Sequence, residues 1–159
     1  MAPFVVLTIT FVVLLLVGRG RWRWATSLRI ALAAMFLLTA WAHFGSMRED
    51  LIRMVPPAFP RPALVVTLTG IAELAGAVGL LVPRTAPWAA GCLAVLLLAM
   101  FPANIHAAVQ GVTLGGRPAT PLLLRTLLQG VFLVALVAAA APARLEATVR
   151  ARHRRTAAR

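Results

Sequence analysis

Five apolar runs, each close to the length of a membrane-crossing helix, alternate with short polar or proline-rich connectors along this chain. They are Pro3 to Val17, Trp24 to Phe44, Ala63 to Val82, Pro87 to Val109 and Leu122 to Ala141. At ~1.5 Å of rise per residue, a run of about twenty residues makes ~30 Å of helix, the thickness of a bilayer's hydrocarbon core. The pattern predicts an all-α, polytopic transmembrane helix bundle. We divide it into residues 1–23 (a first span and a basic turn), 24–141 (a four-helix bundle) and 142–159 (an arginine-rich tail).

The third run carries the most informative exception to its own hydrophobicity. In LVVTLTGIAELAGAVGLLV, Glu73 lies near the midpoint, and glycines stand at 70, 76 and 79. Helical spacing puts Gly70, Glu73, Gly76 and Ala77 on one face with Gly79 beside them, a small-residue seam that a second helix can approach closely. A carboxyl group at this depth must face protein or water. It is read either as a protonated, hydrogen-bonded packing group or as a functional acid serving a proton or ligand. The expected partners of Glu73 lie on the fourth and fifth runs: Gln129 first, then Asn104 or a bridging water.

The other runs add polar residues near one end. The second closes with His43, read as an interfacial cap or as a member of a site with Glu73 or His106. Between the second and third runs, GSMREDLIRMVPPAFPRPA gives a short interfacial helix over Met47 to Val55, with Arg48, Glu49, Asp50 and Arg53 towards water, before prolines at 56, 57 and 60 forbid its continuation. That segment is either a lid over the bundle or a tight connector. In the fourth run Pro102 predicts a kink or stop, and Asn104, His106 and Gln110 follow it. The fifth run places Arg125 and Gln129 four residues apart on one face, expected to point into the bundle, and Pro142 is expected to end it. Taken by depth, His43, Glu73, Asn104, His106, Arg125 and Gln129 form a candidate polar pocket, with no catalytic group assigned and no metal expected from so sparse a spacing.

Composition then narrows the class. Hydrophobic residues make up 61% and charged residues 13% of the 159, and mean hydropathy is +0.89. The net charge of +12 comes from sixteen arginines against four acids. Because they cluster between and after the apolar runs, they bear on membrane orientation, and nucleic acid is not an expected partner. Eleven flank the runs on one side (19, 21, 23, 29 and 84, with six from Arg144 onward) and four on the other (48, 53, 61 and 117). With five crossings, that bias puts the amino terminus outside and the carboxy terminus in the cytoplasm of a cell inner or plasma membrane. The first run has its charge after it and no convincing cleavage site, so an uncleaved span is expected, with Trp22 as interfacial anchor. A lone Cys92 excludes an intrachain disulfide or dithiol relay.

The segments HFGSMREDLIRMVPPAFPRPALVVTLTGIAELAGAVGLLVPRT and MFPANIHAA, with the later LRTLLQG, resemble DoxX-like membrane proteins over Leu28 to Val137. The resemblance rests on His43, Met54-Val55-Pro56, Thr69-Gly70, Glu73, Gly76, Gly79, Pro102, Asn104, Arg125 and Gln129. It implies a four-helix DoxX-like core plus one additional amino-terminal span. Some relatives are associated with quinone-linked sulfur oxidation or terminal oxidases, others with oxidative-stress assemblies.

Three functional classes follow: a non-catalytic accessory or assembly subunit, which leads; a quinone- or lipid-binding subunit of a membrane redox complex; and a small-solute or proton pathway, with no cofactor predicted and a quinone entering only under the second class. Expected partners are membrane lipid, a membrane or peripheral redox protein, and a second copy of the chain. Reporter fusions at both termini test the five-span topology. The expected result is opposite sides, and termini on one side would overturn it.

Overall fold

The computed structural model describes residues 2–18, 24–118 and 120–157. Trp22 and the arginines at 19, 21 and 23, on which part of the expected topology rests, lie outside the described residues. Helices α1 (Ala2–Gly18), α2 (Trp24–Phe44), α3 (Arg48–Met54), α4 (Pro62–Leu81), α5 (Ala86–Ala99), α6 (Phe101–Val109) and α7 (Leu122–Ala157) are joined by short turns, and a two-residue ribbon, β1 (Thr113–Leu114) with β2 (Arg117–Pro118), separates α6 from α7.

The ends of these helices follow from local chemistry. Proline occupies one of the first two positions of α4, α5 and α6, where its missing N–H costs nothing and its fixed φ suits a first turn. Helix α3 opens with Glu49 and Asp50 in its first turn. It stops at Val55, which is extended (φ −69°, ψ 127°), the conformation favoured by a residue that precedes proline. Met100 divides α5 from α6 just before Pro102, as the sequence predicts. The β1–β2 turn has Gly115 at φ 59° and Gly116 at φ 74°. A two-residue hairpin of this kind needs positive φ at both central positions, and glycine supplies it without strain.

The fold is all-helical but for the small ribbon that two glycines allow. One expectation is corrected here. Helix α7 does not end at Pro142 but runs on to Ala157. A mid-helix proline removes one backbone bond, and the following residues, rich in alanine and arginine, are good enough helix formers to continue past it.

Four stretches are long and apolar enough to cross a membrane: Trp24–Phe44, Pro62–Leu81, Ala86–Val109 (α5 and α6 together) and Leu122–Ala141. The protein is therefore a membrane-embedded helical bundle. The apolar α1 has 17 residues, ~26 Å at ~1.5 Å per residue, a little short of the ~30 Å core. It packs along α2, where Leu7 and Phe11 join the core.

That core occupies one end of the bundle. Leu28, Leu32, Met35 and Phe36 from α2 meet Ala77 and Leu80 of α4, Ala90 and Leu93 of α5, and Leu136 and Ala139 of α7. Outward positions such as Leu68, Ile71, Val78, Val95, Leu127 and Val134 are exposed and apolar, as a lipid-facing surface requires. At the other end α2 terminates early, and α3 and the ribbon fold across the space it leaves.

The glycine seam of α4 is filled from within the chain. A Cβ on Gly76 would lie 2.4 Å from Leu93 Cδ2, and one on Gly79 would lie 2.8 Å from Ala89 Cβ, so both admit α5. Gly70 turns towards α2 instead: its Cβ would lie 2.6 Å from His43 Cβ and 3.0 Å from the Phe44 ring. Because His43 Cβ is fixed to its own backbone, only a shift of one whole helix relieves that overlap. Gly70→Ala is accordingly expected to destabilise the bundle by ~1–3 kcal/mol, the usual range for overpacking. Gly91→Ala, at a position with nothing within 4 Å, is expected to leave the melting temperature unchanged. Thermal melts of the two variants in one detergent check this, and equal melts would overturn it.

Candidate functional site

Because the His43 Cβ and the Phe44 ring of α2 lie directly on Gly70 of α4, the side chains that flank this contact are pressed together. His43, on the last turn of α2, and Glu73, one turn below Gly70 on α4, are 4% and 3% exposed. His43 Nδ1 lies 2.8 Å from the Thr39 carbonyl and 3.6 Å from Glu73 Oε2. A carbonyl only accepts, so Nδ1 carries a hydrogen and donates it to Thr39. Glu73 Oε2 is buried with no hydrogen-bond partner among the described residues.

The expected partners of Glu73 are therefore corrected. Gln129 donates from Nε2 to the Leu97 carbonyl at 3.0 Å, and Asn104 Oδ1 accepts from Arg125 Nη1 at 3.0 Å. The kink explains both. Pro102 leaves the Leu98 carbonyl without its helical donor, and the disturbed turn between α5 and α6 presents carbonyls and Asn104 sideways to α7. Arg125 also donates from Nε to Thr120 O at 2.9 Å, so its guanidinium is held by protein, as its placement on an inward face predicts. His106, half-buried on α6, belongs to neither group. The six candidate residues thus resolve into an α2–α4 pair, an α6–α7 pair, a Gln129 clamp on α5 and an outlying histidine.

Between the two pairs lies a cavity of about 250 Å³. His43, Thr69 and Asn104 provide its polar lining. Leu51, Met54, Val55, Pro56 and Phe59 roof it, and Val66, Met100, Pro102 and Ala103 are among the residues that complete the wall. The segment between α2 and α4 is thus a roof over a hollow, which answers the choice between lid and connector. His43 sits beneath this roof, not at an interface.

Two residues read as water-facing hold the roof in place. Arg48 donates to His43 O at 2.9 Å, to Thr67 Oγ1 at 2.9 Å and to Ala63 O at 3.3 Å, tying the end of α2 to the first two turns of α4. Asp50, 8% exposed, accepts from the Gly115 amide at 2.7 Å and from Arg53. Seven-residue α3 is too short to bury a charge on its own; it is the ribbon, brought back by the chain 65 residues later, that covers Asp50. Sequence spacing carries no signal for so distant a pairing, although the Gly-Gly turn marks the hairpin itself.

The Gly115 amide, and then Arg53, hold the Asp50 carboxyl below the usual aspartate range. A group whose folded value is depressed contributes stability that is present above its unfolded value, ~3.9, and is lost as pH falls through the lower folded value. Asp50→Ala is expected to melt earlier at neutral pH and to lose less on acidification below about pH 4 than the wild type does. Melting curves between neutral pH and pH 3 (about one unit below the aspartate reference) check this; parallel curves for the two proteins would overturn it.

Among known proteins, a family model described as a domain of unknown function (DUF8561) matches residues 32–140, about two-thirds of the chain, from mid-α2 to the apolar part of α7. No curated protein matches the chain. No solved structure matches it.

Proposed function

The chain belongs to the DUF8561 family, and from that premise we propose that it is a non-catalytic subunit of a membrane complex which holds one apolar small molecule, of the quinone or lipid class, beneath α3. The single observation that carries this reading is the cavity of about 250 Å³. It is near the lower size of small-molecule sites, is lined mainly by apolar side chains and has a few convergent polar groups. Any electron donor would have to be external, because Cys92 is the chain's sole thiol. The resemblance to DoxX-like proteins supports the same four-helix core and the same quinone class. The arginine bias supports an orientation in which the roof and cavity face outward.

An accessory subunit would meet its protein partner through the small-residue seam of α4 or through the outer loop. Gly70, Gly76 and Gly79 receive the chain's own α2 and α5, which favours the surface formed by α3 and the ribbon. A solute or proton pathway is less well supported. Beyond Glu73 the bundle is closed by Leu80, Leu93, Leu136 and their neighbours, each about 1% exposed.

Native mass spectrometry from mild detergent tests the reading. The wild type is expected to retain a small apolar molecule, and Ala103→Trp, which fills the cavity from its wall, is expected to lose it while staying folded. Equal retention by both proteins, or none by the wild type, would overturn the proposal. A protein partner retained without any small molecule would favour the purely structural accessory role.

A further inference from the structure

The structure also indicates what the bound molecule must present to the protein. His43 both lines the cavity and stands beside Glu73. With Nδ1–H committed to the Thr39 carbonyl, the neutral ring offers its other nitrogen, Nε2, as an acceptor, and Nε2 has no protein partner among the described residues. The bond to Thr39 O fixes the tautomer, and a carboxyl oxygen of Glu73 stands 3.6 Å from the same Nδ1.

The remaining polar lining is engaged in part. Thr69 donates its hydroxyl to Val65 O and Val66 O at 2.9 and 3.0 Å, and Asn104 Oδ1 accepts from Arg125, while the Asn104 amide nitrogen, a donor, has no partner among the described residues. Nε2 is therefore an uncommitted acceptor in a mainly apolar hollow, and a ligand that meets it with a hydrogen-bond donor satisfies it in a setting where an unmet polar atom is costly.

We propose that the cavity selects an apolar ring compound bearing a hydroxyl group, of the phenol or hydroquinone class, whose O–H donates to His43 Nε2. This rests on the reading of the cavity as a ligand site and names the head group that the site recognises.

The probes are 2-naphthol and 2-methoxynaphthalene, which share an aromatic body and differ in the donor. Their dissociation constants are measured for the full chain in one detergent, and the ratio of the two is compared with the ratio for His43→Phe, so that detergent partitioning cancels. The wild-type preference for 2-naphthol is expected to exceed that of the variant about tenfold, the worth of one well-made hydrogen bond. An unchanged ratio, with both probes bound, would overturn donor selection and leave the ligand site standing. Binding of neither probe to the wild type would overturn both.

Nitrogen NMR of histidine-labelled wild type supplies a second readout that does not depend on the variant folding. Only 2-naphthol is expected to move the Nε2 resonance of His43, with Nδ1 unmoved. Equal shifts from both probes, or none from 2-naphthol, would overturn the proposal.

Discussion

Everything at the roofed end of this protein depends on a contact from which one atom is missing. Gly70 has no Cβ, and α2 uses the vacancy to lie against α4. That approach does more than join two helices. It brings an imidazole and a carboxyl group within 3.6 Å in a part of the bundle from which water is excluded. With α2 ending at this level while α4 continues above it, a hollow is left beside α4, and the chain closes it with α3 and the proline-rich turn. Cavity, roof and buried pair are three results of one close crossing.

The polar groups are kept apart in a way that suits the low dielectric around them. Arg125 is satisfied by Asn104 and Thr120, at the turn where Pro102 has already disturbed the helix. Glu73 is satisfied by no such cation; its neighbour is a histidine. A guanidinium and a carboxylate sharing one buried site would attract strongly but would also bind each other, leaving neither for a third molecule. Separation leaves Arg125 engaged at the α6–α7 turn and the Glu73 carboxyl beside His43.

Much of this arrangement was legible in the residues. Apolar runs of bilayer length specified the spanning helices, Pro102 specified the break at Met100, and the glycines around Glu73 marked a close approach. Helical periodicity put Gln129 and Arg125 on an inward face. Which helix meets Glu73 was not legible, because a face that presents Gly70, Gly76 and Gly79 at successive turns can receive two neighbours, and here it receives α2 at one end and α5 at the other. His43 carried two readings, an interfacial cap or a member of a site with Glu73 or His106, and its place 3.6 Å from Glu73 and beneath α3 favours the site with Glu73. Asp50 and Arg48 looked solvated because a charged face on a short helix usually is, and their partners come from the ribbon and from α4.

The bond from Asp50 to the Gly115 amide joins the roof to the hairpin that separates α6 from α7. Leu51 and Met54, which roof the cavity, sit one and four residues from that anchor, so α3 cannot tilt away from the hollow without pulling on a turn whose two glycines are both at positive φ. Parting α3 from the ribbon is then a local-unfolding event that releases one amide. Hydrogen exchange at the Gly115 amide reports how often the roof and the hairpin separate, since that proton meets solvent only when the Asp50 bond opens.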